Sequence, residues 1–378
     1  MGKSSRRTFL AVTVAGTGLV AGCVDTLSRG NSDAREAAEE GVNDTGHTDA
    51  SNENPAPEDV DLPLVEPEVP LGYELSGLEA DAVSGGVPQD GIPSIDDPVF
   101  DDVRYGDEAL DPDDPVFGIA NDEVAKAYPQ NILVYHEIVN DEFGGRGVAV
   151  TYCPLTGTAI GFERGSVEFG VSGMLVNSNL IMYDRATDSW WPQMHPTSPL
   201  GELAGWSLEE VRVTWTTWGR WRDFHPDTEV LTEETDYVRN YEEDPYGEYN
   251  PLRGYYTDRN IMFPPRFESD DYEPKAVFVG ARSGDGAVAF RKGTLRDEQL
   301  LETRVGGTPY LAAYHEPLDS AWVYRNPDAV SFEVTTDGYV GPDGTLHSAD
   351  NLPLESVNAF DAFWFAWYGY YPETVVVD

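Results

Sequence analysis

Hydrophobic and polar positions divide the chain into three stretches. Phe9 to Ala21 is an apolar run without a charge, and Arg29 to Pro57 has no hydrophobic period. From Leu71 onward short apolar runs return between frequent turn residues. Runs rich in β-branched and aromatic residues predict strands at 116–119, 138–140, 148–152, 167–171, 180–183, 276–279 and 310–314. Helical patterns are short and predict helices at 130–135, 207–211, 215–224 and 358–368. The expectation is a mainly β (α+β) fold with a few packed helices.

The pattern also repeats. At a spacing of 162 residues, Gly118 meets Gly280, Ala127-Tyr128 meets Ala289-Phe290, Leu133 meets Leu295, Gly144-Gly145 meets Gly306-Gly307, and Tyr152 meets Tyr314. A closing block repeats at 146, where Trp218, Trp221, Pro226, Thr228 and Val230 meet Trp364, Trp367, Pro372, Thr374 and Val376. Two blocks in the same order predict two tandem, diverged β-rich repeats, over 112–232 and 275–378, packed as one pseudo-symmetric globular unit. A lead-in segment (71–111) precedes them, and a Tyr-rich connector (233–274) lies between. The aromatic connector suits either a glycan-binding groove or a linker packed over both units. Cys153 falls at the position of His315, and His136 at that of Glu298, so the two units differ in chemistry.

The first 23 residues read as an export address. Arg6-Arg7 within Ser4-Ser5-Arg6-Arg7-Thr8-Phe9-Leu10 has the arrangement of a twin-arginine signal. The apolar run behind it is shorter than the roughly 20 residues a permanent span requires. It ends in Leu19-Val20-Ala21-Gly22-Cys23, a lipobox in which the Cys23 thiol takes the lipid. Residues 24–70, dominated by Ser, Asp, Glu, Asn and Pro, then form a disordered acidic tether. The expected location is the outer face of the cell membrane, anchored through Cys23.

Charge adds the setting. Sixty-eight acidic residues face 24 basic ones, for a net charge of −44, and four of the basic residues are lysine. Such a surface repels itself in ordinary buffer, but at molar salt the Debye length falls to about 3 Å. Nine tryptophans and 12% aromatic residues argue for a packed core over an acidic disordered chain. The composition is that of a halophile's protein, and the absence of a basic patch argues against nucleic acid as a partner. Of the two cysteines, a lipidated Cys23 leaves Cys153 as a single thiol, without an intramolecular disulfide.

Cys153 is the main chemical candidate. A two-residue turn at Gly144-Gly145 pairs residues summing to 289, so that Val139 faces Val150, Asn140 faces Ala149 and His136 faces Cys153. An imidazole opposite a thiol lowers its pKa, making Cys153 a nucleophile with His136 as base and Asn140 or Asp141 as orienting group. The same pair could hold a soft metal of the copper type, with Met182 and Gln193 nearby and Met174, Met194 and His195 as further donors. An inert core cysteine has the same sequence signature.

Ala127-Tyr128-Pro129, His136-Glu137-Ile138-Val139-Asn140-Asp141, Thr151-Tyr152-Cys153-Pro154-Leu155-Thr156-Gly157, Asn177-Ser178-Asn179-Leu180, Met182-Tyr183-Asp184-Arg185 and Phe363-Trp364-Phe365-Ala366-Trp367 together resemble an uncharacterised family, domain of unknown function 3179. The resemblance covers most of residues 90–378 and implies no established activity. It implies a second cysteine, in many members, where Thr156 stands, so a dithiol redox cycle is not expected here. Cys153, Met182 and Gln193 match its pattern; Met174 and His195 do not. Three functions remain open: a metal-binding surface protein, a thiol-dependent enzyme, and a non-enzymatic module that binds a glycan, another small ligand or a surface-layer component through Trp190, Trp191 and Tyr246.

Overall fold

The computed structural model describes residues 60–378. The expected signal, the lipidation residue Cys23 and the tether up to residue 59 lie outside the described residues. Among the described residues no helix is long and apolar enough to cross a membrane. Packing begins before residue 71, where the sequence placed the start of the folded part: Leu62 is buried, and Leu64-Val65 pairs antiparallel with Ser207-Leu208.

Short strands dominate, with six short α-helices among the described residues. Strands Pro115–Ala120 and Ala125–Pro129, helix Gln130–His136, and strands Ile138–Phe143, Arg146–Cys153 and Thr158–Glu163 follow one another. The same order recurs in Val277–Ser283, Gly286–Arg291, helix Lys292–Glu298, Leu300–Val305, Thr308–His315 and Ser320–Arg325. Each series ends on a helix, Trp218–Phe224 or Trp364–Tyr370, and a strand, Glu229–Leu231 or Val375–Val377. Both final strands pair parallel, with Ala125–Pro129 and with Gly286–Arg291.

Local chemistry explains the hairpin at 138–153. Gly144 and Gly145 both take positive φ, which a two-residue turn needs if its twist is to match the strands. The register runs from Phe143↔Arg146 through Val139↔Val150 to Ile138↔Thr151. Three expected helices change. Residues 207–211 form two short strands, because Leu208 pairs with Leu64 and Glu210-Val211 pairs with Phe162-Gly161 at a sheet edge. The helix expected from 215 starts at Trp218, since Thr214–Thr217, rich in β-branched residues, joins the sheet beside Pro115–Ala120. The helix expected from 358 starts at Trp364, behind strand Ala359–Phe363.

The largest core cluster contains Ile138, Cys153, Leu180 and Met182 together with Phe278, Phe360 and Trp364–Trp367, so it draws on both series. Arg212 also ties them: half-buried, it donates to the Ala359 and Ala321 carbonyls and stacks 3.8 Å over the Trp322 ring. Gly118 lies under the ring of Trp221 and Gly280 under that of Trp367. Each ring donates from Nε1 to a threonine, Thr228 at 2.9 Å and Thr374 at 3.0 Å. A Cβ on either glycine would overlap ring carbons. Gly280→Ala should therefore cost about 1–3 kcal/mol or more by overpacking. A melting temperature equal to wild type, measured in molar KCl, would show that the ring moves freely.

The lysines are placed with economy. Lys126, Lys275 and Lys292 each serve internal contacts: Lys126 and Lys292 pair with the buried carboxylates of Asp141 and Asp361. Lys275 donates to the carbonyls of Tyr255, Asp258 and Asn260, 3.3 Å from the centre of the Tyr255 ring. Burying a flexible, strongly hydrated ammonium is tolerated where it satisfies a buried acceptor.

Candidate functional site

Cys153 ends strand Arg146–Cys153, opposite Thr158, and is buried in the core. Its Sγ lies 3.8 Å from the Ser178 carbonyl, to which the thiol donates. Burial, and then the charge of Glu137, push the thiol up to about 11, while a hydrogen bond from Thr156 opposes the shift. Thr156, at the place where the family resemblance implies a second cysteine, stands beside the thiol. Its hydroxyl is bound to those of Thr158 and, at 3.0 Å, to the amide of Asn179.

His136 does not face Cys153. The ladder ends at Ile138↔Thr151, and His136 is the last residue of helix Gln130–His136. Residue 137 turns into the left-handed region and sends the imidazole another way. Nδ1–H donates to the Pro93 carbonyl at 2.8 Å, which leaves Nε2 to accept from the Tyr241 hydroxyl at 2.7 Å. Burial lowers its pKa, so the ring is neutral and both nitrogens are occupied.

The other candidates serve structure. Asn140 donates to Asp96 and to the Phe169 carbonyl, and accepts from the Phe169 amide. Asp141 is bound by Lys126 and by Tyr128. The Gln193 amide donates to Thr151 and to the Thr158 carbonyl; its oxygen accepts from Thr158 and Asn179. Met182 and Met194 are core residues, Met174 is half-buried against that core, and His195 is buried, its pKa pushed down to about 3. Among the described residues no group of three or more His, Cys, Asp and Glu side chains is placed to hold a metal ion. Trp191 is fully buried and Trp190 and Tyr246 are half-buried, so these rings do not form an open platform.

The side chain whose charge bears on Cys153 is Glu137, which the sequence pattern does not single out. Glu137 caps the helix at φ +58°, its N–H bonded to the Leu133 carbonyl and its own carbonyl to the Tyr152 N–H. Gln299 caps helix Lys292–Glu298 with the same contacts, to Leu295 and Tyr314, so the backbone turn is a property of the architecture. The side chain is what differs. The Glu137 carboxyl is buried, and burial alone pushes it up to about 8. Its charge acts on both Cys153 and Tyr246. No local pattern announces such an influence; the alignment of Glu137 with Gln299 is the nearest sequence signal.

The connector covers this pair. Tyr241, Tyr255 and Tyr256 are buried, and the Tyr255 hydroxyl donates to the Leu155 carbonyl two residues past Cys153. Tyr256 and Gln130 both donate to Asp244, which fastens the strand pair Gly247–Tyr249 and Leu252–Gly254 against the first series. The site is therefore a neutral thiol and a carboxylic acid of raised pKa, enclosed by tyrosines.

No curated protein and no solved structure matches the chain. A family model, described as a protein of unknown function (DUF3179), matches residues 89–374, a span that contains Cys153, Glu137, the connector and both series of elements except the final strand Val375–Val377. The chain belongs to this family.

Proposed function

We propose that the chain is an exported, lipid-anchored surface protein of a halophile whose chemistry is thiol-dependent, with Cys153 as nucleophile and Glu137, in place of His136, as proton acceptor. The observation that carries this reading is the buried Glu137 carboxyl, raised to about 8, whose charge bears on the buried single thiol of the described residues. A general base works best with a pKa near the working pH. The proton leaves Sγ for the Glu137 carboxylate, and the thiolate attacks an electrophile admitted when the connector lifts. A soft metal has less support, because His136 and Gln193 already spend their polar atoms on hydrogen bonds. The recurring element order supports a further part of the proposal: two diverged copies of one unit about a pseudo-twofold axis, of which the first kept the reactive site.

The test is alkylation of the native protein by iodoacetamide in molar KCl, followed by mass spectrometry across pH. Wild type should show a step in rate centred near pH 8, where Glu137 titrates, and Glu137→Gln should lose that step. Labelling that occurs only after unfolding, in both proteins, would make Cys153 an inert core residue.

A further inference from the structure

The position that Cys153 occupies in the first series is held in the second by His315, at the end of strand Thr308–His315. The surroundings differ. Cys153 lies beneath Tyr246 and Tyr255, whereas His315 lies on the floor of a cleft of about 1020 Å³. Small-molecule sites run to about 300–1,000 Å³, so there is room for a ligand of one or two rings. One wall is the strand pair Glu333–Thr335 and Gly338–Val340, and the other is Phe224 at the end of helix Trp218–Phe224.

His315 is only 4% exposed, yet it lines this space. Its Nδ1 accepts from the Leu318 N–H at 3.3 Å, so the proton sits on Nε2. That N–H has no hydrogen-bond partner among the described residues. It is thus free to donate to a ligand oxygen in the cleft that His315 lines. The Phe224 ring meets His315 edge-to-face at 4.8 Å and remains 39% exposed. Around these two lie the side chains of Gln299, Thr335, Asp337 and Ser348.

We infer that this cleft binds a neutral carbohydrate. An exposed aromatic ring packs against the C–H face of a sugar, while the polar groups around it match hydroxyls that both donate and accept. Charge does not select an ion: the carboxylates of Glu316 and Asp337 and the guanidinium of Arg220 line the cleft together. Arg220 itself is held by the Glu316 and Pro317 carbonyls and so braces the turn beneath the ligand. The inference stands apart from the thiol chemistry, since none of these residues touches Cys153.

The test is titration of the full-length protein in molar KCl with glucose, galactose, mannose, N-acetylglucosamine and their disaccharides. Glucuronic acid and glucosamine serve as charged counterparts, with saturation-transfer NMR and tryptophan fluorescence as readouts. At least one neutral sugar should bind saturably. Phe224→Ala and His315→Leu should each weaken it about tenfold, while Cys153→Ala leaves it unchanged. Asp337→Asn, on an exposed hairpin, provides a variant whose folding is not at stake and should also weaken binding. No saturable binding by any neutral sugar, equal binding by all three cleft variants, or preference for a charged counterpart would overturn the inference.

Discussion

Replacing Glu137 by Gln should stabilise the folded protein at alkaline pH and leave it unchanged in acid. The Glu137 carboxyl is raised from 4.5 to about 8 in the folded chain, with burial as the cause. A carboxyl whose folded pKa lies above its unfolded value binds its proton more tightly when folded. Its contribution is therefore fully present below 4.5 and is lost as pH rises through about 8. One pKa unit corresponds to about 1.4 kcal/mol, so above pH ~8 the ionised carboxylate should cost the native state about 3–5 kcal/mol that glutamine does not pay. Thermal melts of both proteins in molar KCl between about pH 4 and 9 should converge at the acid end and separate at the alkaline end. Parallel curves would mean that Glu137 reaches solvent and has an ordinary pKa. The same substitution removes the negative charge beside Cys153, so the thiol pKa should fall from its value of about 11.

Lys126→Met should be at least as costly, in the opposite direction. The ammonium donates to both oxygens of Asp141, at 3.0 and 2.8 Å, and to the Glu142 carbonyl at 2.9 Å, and lies 4.0 Å from the centre of the Phe100 ring. Tyr128 donates to the same carboxylate at 2.7 Å. Both charged side chains are nearly enclosed, 11% and 6% exposed, so salt screens the pair little. Removing the cation leaves Asp141 buried with only a phenol, a loss of about 3–5 kcal/mol. The double variant Lys126→Met, Asp141→Asn should recover much of this, because the uncompensated charge is gone. Urea unfolding of the three proteins measures the difference. A single-variant loss below about 1 kcal/mol would show that water reaches the carboxylate.

These two carboxylates lie four residues apart and meet opposite fates for a local reason. Asp141 sits on a strand whose neighbours supply a lysine and a tyrosine, while Glu137 sits in the turn before that strand and points into the core. Alternation along 138–143 says which residues share a face. It does not say that Lys126, on another strand, has its ammonium over Asp141, or that burial raises the Glu137 carboxyl.

Much of the framework was readable in the sequence. Gly144-Gly145 set the hairpin register, because a two-residue turn with positive φ at both positions admits one pairing. The apolar period placed helix Gln130–His136 to within one residue. That Cys153 is the free thiol among the described residues follows from counting cysteines. Tertiary structure alone decided the rest. Whether Ser207–Val211 becomes a strand depends on Leu64-Val65, far away in sequence, offering a ladder. His136 turns from Cys153 to Tyr241 because the left-handed residue 137 separates helix from strand. Glu137 gains its raised pKa, and His315 its open cleft, from what the connector covers in one series and leaves uncovered in the other. Periodicity and turn chemistry act over a few residues and can be read from order alone. Desolvation and side-chain partnership depend on which distant segments the fold brings together, and only the packed chain determines that.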